Sequence, residues 1–319
     1  MRFPRIETID LASFITSKTV NSRLWFVNCP VLEQSILGRV ARCQDRYGVI
    51  IYALAIQGNH LHFTALFPKG NRAFFMRDLN SVIAKDVKRY QAAFEGGPLF
   101  RDVYSAEIIP TSEDVLDKYF YTVLQPVNDA LVDDIKHCPY YNCFEDSVKC
   151  RKIEYKVVRW KEYNDAKRWK VNADIKIEDF TDTVYLEFTR LPGYEHLSQK
   201  AYEAMMRKEL AERTQQVREK RRVKVCMGAK KVKQVEPGSR PKNPKTSKRD
   251  TKRPRIGSKR AEIIKAAMDW YWPTIDAHQE ASKAYRAGNL TVKFPKGTYR
   301  PPLFTKPAKG TRILATLKS

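Results

Sequence analysis

The stretch Gly48–Phe67, reading GVIIYALAIQ, then GN, then HLHFTALF, constrains the fold more than any other part of the chain. Gly48–Gln57 is almost continuously apolar and β-branched, as a buried strand is. Gly58-Asn59 is a tight-turn dipeptide, and His60–Phe67 alternates in character beyond it. Two such runs around a two-residue turn predict a β-hairpin, and with it an antiparallel sheet. The flanking segments supply the other elements. Arg23–Cys29 (RLWFVNC) reads as a strand, and Pro30–Tyr47 as a helix with Pro at its start and apolar residues at helical spacing. After the hairpin, Arg72–Phe94 predicts a long helix ended by Gly96-Gly97, and Asp102–Ile109 a fourth strand. Ser112, followed by Glu113 and Asp114, opens a helix to about Leu124. The order β-α-β-β-α-β-α predicts an α+β fold of the split βαβ, ferredoxin-like kind, an antiparallel sheet with helices packed on a face.

Charge divides the 319 residues in two. Residues 1–150 hold 17 Lys+Arg against 17 Asp+Glu, so residues 151–319 carry the whole net charge of +23. The densest stretch, 220–260, has 17 basic residues and 2 acidic ones. That excess is more than solubility asks for, and no helix with a broad apolar face accompanies it to suggest a lipid surface, so the expected partner is nucleic acid. The organisation expected is a compact unit over 1–150, a mixed α/β DNA-binding accessory region over 151–227, a basic linker over 228–260, and a helix with a Pro-rich tail over 261–319. Residues beyond 150 thus form a mainly helical basic extension. Arg159-Trp160 and Arg168-Trp169 pair cations with aromatic rings, as binding of unpaired bases requires. Arg221, Arg222, Lys230 and Lys231 join them as candidate nucleic-acid contacts, with Lys85, Lys88 and Arg89 on the helix before Gly96. The longest apolar run, Val49–Ile56, is far short of the ~20 residues of a membrane span. Glu7 and Asp10 interrupt the N-terminus before any apolar stretch, so a soluble cytoplasmic protein is expected. None of the six cysteines forms a C-x-x-C pair, and the spacing of Cys138, Cys143 and Cys150 is irregular, which predicts reduced thiols rather than a zinc site.

The sharpest chemical signal is Gly58-Asn59-His60-Leu61-His62. Strand residues two apart share a face, so His60 and His62 project together while Leu61 points into the core, and paired imidazoles can bind a divalent ion. Two strand histidines satisfied by hydrogen bonds are the plain alternative. The second piece is Lys118–Val132, KYFYTVLQPVNDALV. On a helix Tyr121 and Gln125, four apart, share a face, and Tyr119 lies on another. A phenol beside a metal-bound phosphate can attack it, and an amide oxygen can complete the ligand set of Mg²⁺ or Mn²⁺. Pro126 disfavours helical geometry at Gln125, which strains the spacing argument at its last residue.

Tyr52–Leu66 (YALAIQGNHLHFTAL) resembles the His-hydrophobic-His signature of the HUH endonuclease superfamily, and Tyr121–Val132 (YTVLQPVNDALV) the tyrosine helix of the REP-associated tyrosine transposases. Leu191–Leu197 (LPGYEHL) and Phe294–Pro302 (FPKGTYRPP) resemble a long subgroup with a basic extension. The resemblance implies an HUH-type palm and a metal-dependent single-stranded DNA endonuclease and strand transferase, acting on hairpin-containing DNA in a bacterial cytoplasm. The neutral first 150 residues show no obvious exposed apolar patch, so a monomer is expected. Tyr121 would be the nucleophile that forms a 5′-phosphotyrosine, and His60, His62 and Gln125 the ligands of Mg²⁺ or Mn²⁺. The sequence departs from the pattern in placing Gln125 where the family usually has Asn, and in lacking a basic residue after Pro126. The competing expectations are a catalytically inactive hairpin DNA-binding protein and an RNA-binding module of the same strand order, whose sheet would display aromatics where this one displays histidines.

Overall fold

A computed structural model of the chain describes residues 6–101, 103–169, 174–241 and 255–301; the rest of the expected linker (242–254) and tail (302–319) lies outside the described residues. The elements run β1 (Ala12–Lys18), α1 (Pro30–Tyr47), β2 (Ile50–Gln57), β3 (His60–Leu66), α2 (Arg72–Tyr90), β4 (Ser105–Ile109), α3 (Ser112–Val123), α4 (Gln125–Asn128), α5 (Phe144–Val148), β5 (Lys152–Val158), α6 (Trp160–Trp169), β6 (Thr181–Glu187), α7 (Gln199–Lys220), α8 (Ala229–Val232) and α9 (Ala261–Arg286). The fold is mixed α+β. Its main sheet has four antiparallel strands in the order β2-β3-β1-β4, so the hairpin strand with the histidines lies inside the sheet.

The first strand is not where the sequence pattern placed it. Arg23–Cys29 is not a strand but a loop whose side chains plug the end of the sheet. Trp25, Phe26 and Val27 are buried there, and the Phe26 N–H donates to the Gly58 carbonyl at 2.9 Å. The strand is Ala12–Lys18, in which Ser13, Ile15 and Ser17 face inward. The two serines meet polar groups of α2: Arg72 donates to Ser13 Oγ at 2.8 Å, and Ser17 donates to Asn80 Oδ1 at 3.1 Å. Inward serines hide the alternation by which a strand is recognised. The long helix also ends earlier than expected, at Tyr90 rather than Phe94. Gln91 turns the chain there, its amide donating to the carbonyls of Trp25 and Val27.

Helices cover both faces of the sheet, not one. Phe75 of α2 packs edge-on against Phe63 and Phe67 beneath the sheet, whereas α3 lies above it, with Tyr121 edge-on to Phe14. The extension packs onto this unit and shares its hydrophobic core, to which Tyr155, Leu186, Tyr202 and Met206 contribute. Strands β5 and β6 pair as a ribbon across α1. Gly38 lets the ribbon approach, since a Cβ there would lie 2.6 Å from Val157 Cγ2. The Gln44 amide then bonds both backbone groups of Glu187, at 2.7 and 2.9 Å, as another strand would. Within the expected linker, residues 228–239 are packed rather than extended. Val232 of α8 is fully buried with Val27 and Tyr140, and the Gly238 N–H donates to the Leu24 carbonyl. Near the C-terminal end of the described residues, Tyr299 donates its hydroxyl to the Gly70 carbonyl at 2.9 Å and meets Phe74 edge-on. Among the described residues no helix is long and apolar enough to cross a membrane.

Candidate active site

Strand alternation on β3 sends Leu61 into the core and brings His60 and His62 out on the α3 side of the sheet. Their rings lie 4.5 Å apart and nearly perpendicular. Each is held through Nδ1. Thr16, directly across on β1, places Oγ1 3.0 Å from His62 Nδ1, and Asn59 Oδ1 lies 2.6 Å from His60 Nδ1. Asn59 Nδ2 donates to the Ser22 carbonyl at 2.9 Å, which fixes the amide's orientation. His60 Nδ1 must then be the donor, and Nε2 carries the lone pair. His62 is 4% exposed and its Nε2 is buried without a hydrogen-bond partner. Burial first, then the neighbouring His60 and the Lys118 ammonium, which disfavour a second positive charge, hold its pKa well below the usual histidine value, against a hydrogen bond to the Ile15 backbone carbonyl. A neutral imidazole anchored at one nitrogen is the form that binds a metal through the other.

Helix α3 separates the two tyrosines. Thr111 caps it by accepting the Asp114 N–H. Tyr119 points inward, 1% exposed, with its hydroxyl 2.6 Å from Ser147 Oγ, and burial drives its pKa far above the usual value. Tyr121, about 200° further round the axis, is 49% exposed and stands edge-on to Phe14 at 5.4 Å and to His62 at 5.9 Å. Its pKa is raised by partial burial, then by the charges of Asp129 and Glu107, so the phenol is protonated at neutral pH. One turn earlier, the Lys118 ammonium lies 5.0 Å from the Phe14 ring centre and 5.6 Å from that of Tyr121, and pairs with Glu107 at 2.5 Å.

The helix does break before Gln125, as Pro126 foreshadows. Helix α3 ends at Val123, and Gln125 opens the short α4. The break leaves Gln125 only 5% exposed. Its Nε2 donates to Asp129 Oδ2 at 3.0 Å, and its Oε1 is buried without a partner. His62 Nε2 and Gln125 Oε1 are thus two buried polar atoms left unsatisfied by protein, which is costly unless something else binds them. Imidazole nitrogens, His60 among them, and an amide oxygen are donor types that a divalent cation accepts. Among the described residues no three His, Cys, Asp or Glu side chains gather into such a site, so this candidate rests on two histidines and an amide.

The candidate nucleic-acid contacts are dispersed. Lys85, Lys88 and Arg89 sit on α2, under the sheet and away from Tyr121, because Phe75 packs α2 against the opposite face. Arg89 pairs with Asp86 at 3.0 Å and stacks on Trp160, 4.0 Å from its ring centre. Arg159 is engaged by Glu162 and Asp182. Arg221 is buried, donating to Asp133 and to the carbonyls of Val127 and Lys224. These three side chains are engaged by partners within the protein. Arg168, Arg222, Lys230 and Lys231 are exposed, and Trp169 is 77% exposed. Sequence reasoning missed Thr16, Asn59, Lys118, Glu107 and Asp129. Thr16 lay in an unrecognised strand, whereas Lys118, one helical turn before Tyr121, was legible by spacing.

No family model and no curated protein matches the chain. One solved structure, of a REP-associated tyrosine transposase bound to a REP hairpin, is similar over 46% of this chain and 85% of its own, at 17% identity and a TM-score of 0.37. A likeness at that level carries no inference about activity or ligand.

Proposed function

We propose that this protein is a metal-dependent endonuclease and strand transferase acting on hairpin-containing single-stranded DNA, with Tyr121 as the attacking group on a ferredoxin-like, HUH-type palm. One observation carries the reading: a half-exposed phenol stands beside a buried, neutral histidine whose Nε2 has no partner, with an equally orphaned amide oxygen on the next turn. His60, His62 and Gln125 would hold Mg²⁺ or Mn²⁺. That ion supplies charge neutralisation at the scissile phosphate. Tyr121 Oη forms a bond to phosphorus and the P–O3′ bond breaks. The 5′ phosphate is left on the tyrosine and a free 3′-OH is released. The phenol gives up its proton on attack and the departing 3′ oxygen takes one. Attack of a 3′-OH on the phosphotyrosine reverses the step, so ends are rejoined without an external energy source. The basic extension, with Arg168, Trp169, Lys230 and Lys231 exposed, would grip the hairpin.

The test is a covalent-adduct assay. Wild type and Tyr121→Phe are incubated with 3′-labelled single-stranded hairpin DNA and Mn²⁺ or EDTA, then resolved on a denaturing gel, with gel retardation alongside. The expected result is label at the protein's mass only when both Mn²⁺ and Tyr121 are present. Tight binding with no adduct under any divalent metal favours the inactive binding protein.

A further inference from the structure

The edge of the sheet next to the site is occupied by residues 255–257 of the basic extension. Arg255–Gly257 runs parallel to β4, with the Ile108 N–H donating to the Arg255 carbonyl at 3.0 Å and the Gly257 N–H to the Ile108 carbonyl at 2.7 Å. Glycine at 257 eases this close approach, since a Cβ would lie 3.0 Å from Lys118 Cε and 3.3 Å from the Ile108 carbonyl oxygen. Two further cations fasten the segment to α3. Lys259 pairs with Asp117 at 2.8 Å, and Arg260 with Asp114 at 3.3 Å and Thr111 at 2.5 Å.

Arg255 differs from both. Among the described residues it has no carboxylate partner; its guanidinium donates to the neutral hydroxyl of Ser105 at 2.9 Å, and the side chain is exposed. Strand alternation places it. Ile256 pairs with Ile108, so its neighbour Arg255 lies on the face of Ser105 and Glu107, which is the face of the histidines. Ser105 is directly opposite Thr16, and Thr16 directly opposite His62. A cation therefore ends the cross-strand row that begins at the candidate metal ligand. Two strand spacings of ~4.8 Å put Ser105 about 10 Å from His62, roughly the length of three stacked nucleotides at ~3.4 Å each.

We propose that Arg255 binds a backbone phosphate of the single strand about three nucleotides from the scissile one, so that the strand crosses the sheet along the His62–Thr16–Ser105 row. The inference rests on the function proposed above for the substrate class, but its readout is binding and not cleavage. A guanidinium carried on backbone pairing, with its other donors unengaged among the described residues, is suited to a phosphate held by two hydrogen bonds. The extension then supplies a residue to the site as well as charge to the molecule.

The experiment compares Tyr121→Phe, which keeps DNA intact, with Tyr121→Phe/Arg255→Gln and Tyr121→Phe/Arg255→Lys. Hairpin DNA with a single-stranded flank is bound across a range of KCl concentrations, and again with single neutral methylphosphonate linkages along the flank. Arg255→Gln is expected to weaken binding several-fold and to lower the salt slope by about one phosphate's worth, with Arg255→Lys between. One linkage about three nucleotides from the cleavage point should weaken binding when neutralised in the parent and have no further effect in Arg255→Gln. Equal slopes with the same sensitive linkages in both proteins overturn the phosphate contact and leave the nuclease reading standing. Absence of any binding by the parent overturns both. An unchanged melting temperature for Arg255→Gln shows that its effect is not a folding defect.

Discussion

Tyr119 and Tyr121 are two residues apart, yet the structure gives them opposite duties, and exchanging each for phenylalanine separates stability from chemistry. Tyr119→Phe deletes a hydroxyl that is fully enclosed and 2.6 Å from Ser147 Oγ. Ser147 keeps the Phe144 carbonyl as an acceptor at 3.2 Å, so no donor is orphaned. The loss is one buried hydrogen bond and a small void, about 1–2 kcal/mol. For a chain of this size, at about 2.1 cal/mol/K per residue, that lowers the melting temperature by about 1–3 °C. Tyr121→Phe deletes a phenol oxygen that has no hydrogen-bond partner among the described residues, on a half-exposed ring, so stability should stay within ~0.5 kcal/mol of wild type. The covalent adduct should behave the other way, kept by Tyr119→Phe and lost by Tyr121→Phe. Melting followed by far-ultraviolet circular dichroism, run beside the adduct gel, reads both. Equal destabilisation by the two variants, or an adduct that survives Tyr121→Phe, refutes the division of roles.

Three further outcomes follow from named contacts. Because burial raises the Tyr119 pKa far above its unfolded value near ~10, the fold favours the neutral phenol. Its contribution is therefore complete below pH ~10 and is lost as pH rises beyond it, and the alkaline fall in urea-unfolding stability should be shallower in Tyr119→Phe. Thr16→Val removes the group that anchors His62 Nδ1 while keeping a strand-compatible shape; calorimetric titration should show Mn²⁺ affinity falling about 10–100-fold, with little change in melting temperature. Arg39→Met removes the 2.8 Å partner of the enclosed Asp86 carboxylate, leaving it to Ser35 and Arg89. Chemical denaturation should show a loss of about 2–4 kcal/mol, below the full cost of breaking a buried pair because two donors remain.

Local order was legible wherever a segment's own pattern decided its state. Helix α1, the hairpin and α3 stand where spacing and the Gly58-Asn59 turn place them, since each depends on residues close in sequence, although the cap of α3 is Thr111 and not Ser112. The same alternation put both histidines on one face, and helical spacing pointed Tyr119 and Tyr121 in different directions. Partners distant in the chain reversed other readings. Ser13 and Ser17 can face inward only because Arg72 and Asn80 meet them from α2, and the apolar run Arg23–Cys29 is a loop because it plugs the sheet's end instead of extending it.

The basic half shows the difference most plainly. Its charge was evident from composition, but composition cannot say which cations are already engaged. Arg159 and Arg221 are taken up by protein partners, and Arg89 lies on the wrong side of the sheet. Arg255 attracts no notice in a run of basic residues, yet two backbone hydrogen bonds to Ile108 bring it to the histidine face. The sequence by itself determined which side chains could perform chemistry and how neighbours share a face, because strand and helix periods are local. Which of them meet, which are buried without partners and which cations stay open was decided by the tertiary structure. Those properties depend on desolvation and pairing between residues tens to hundreds of positions apart.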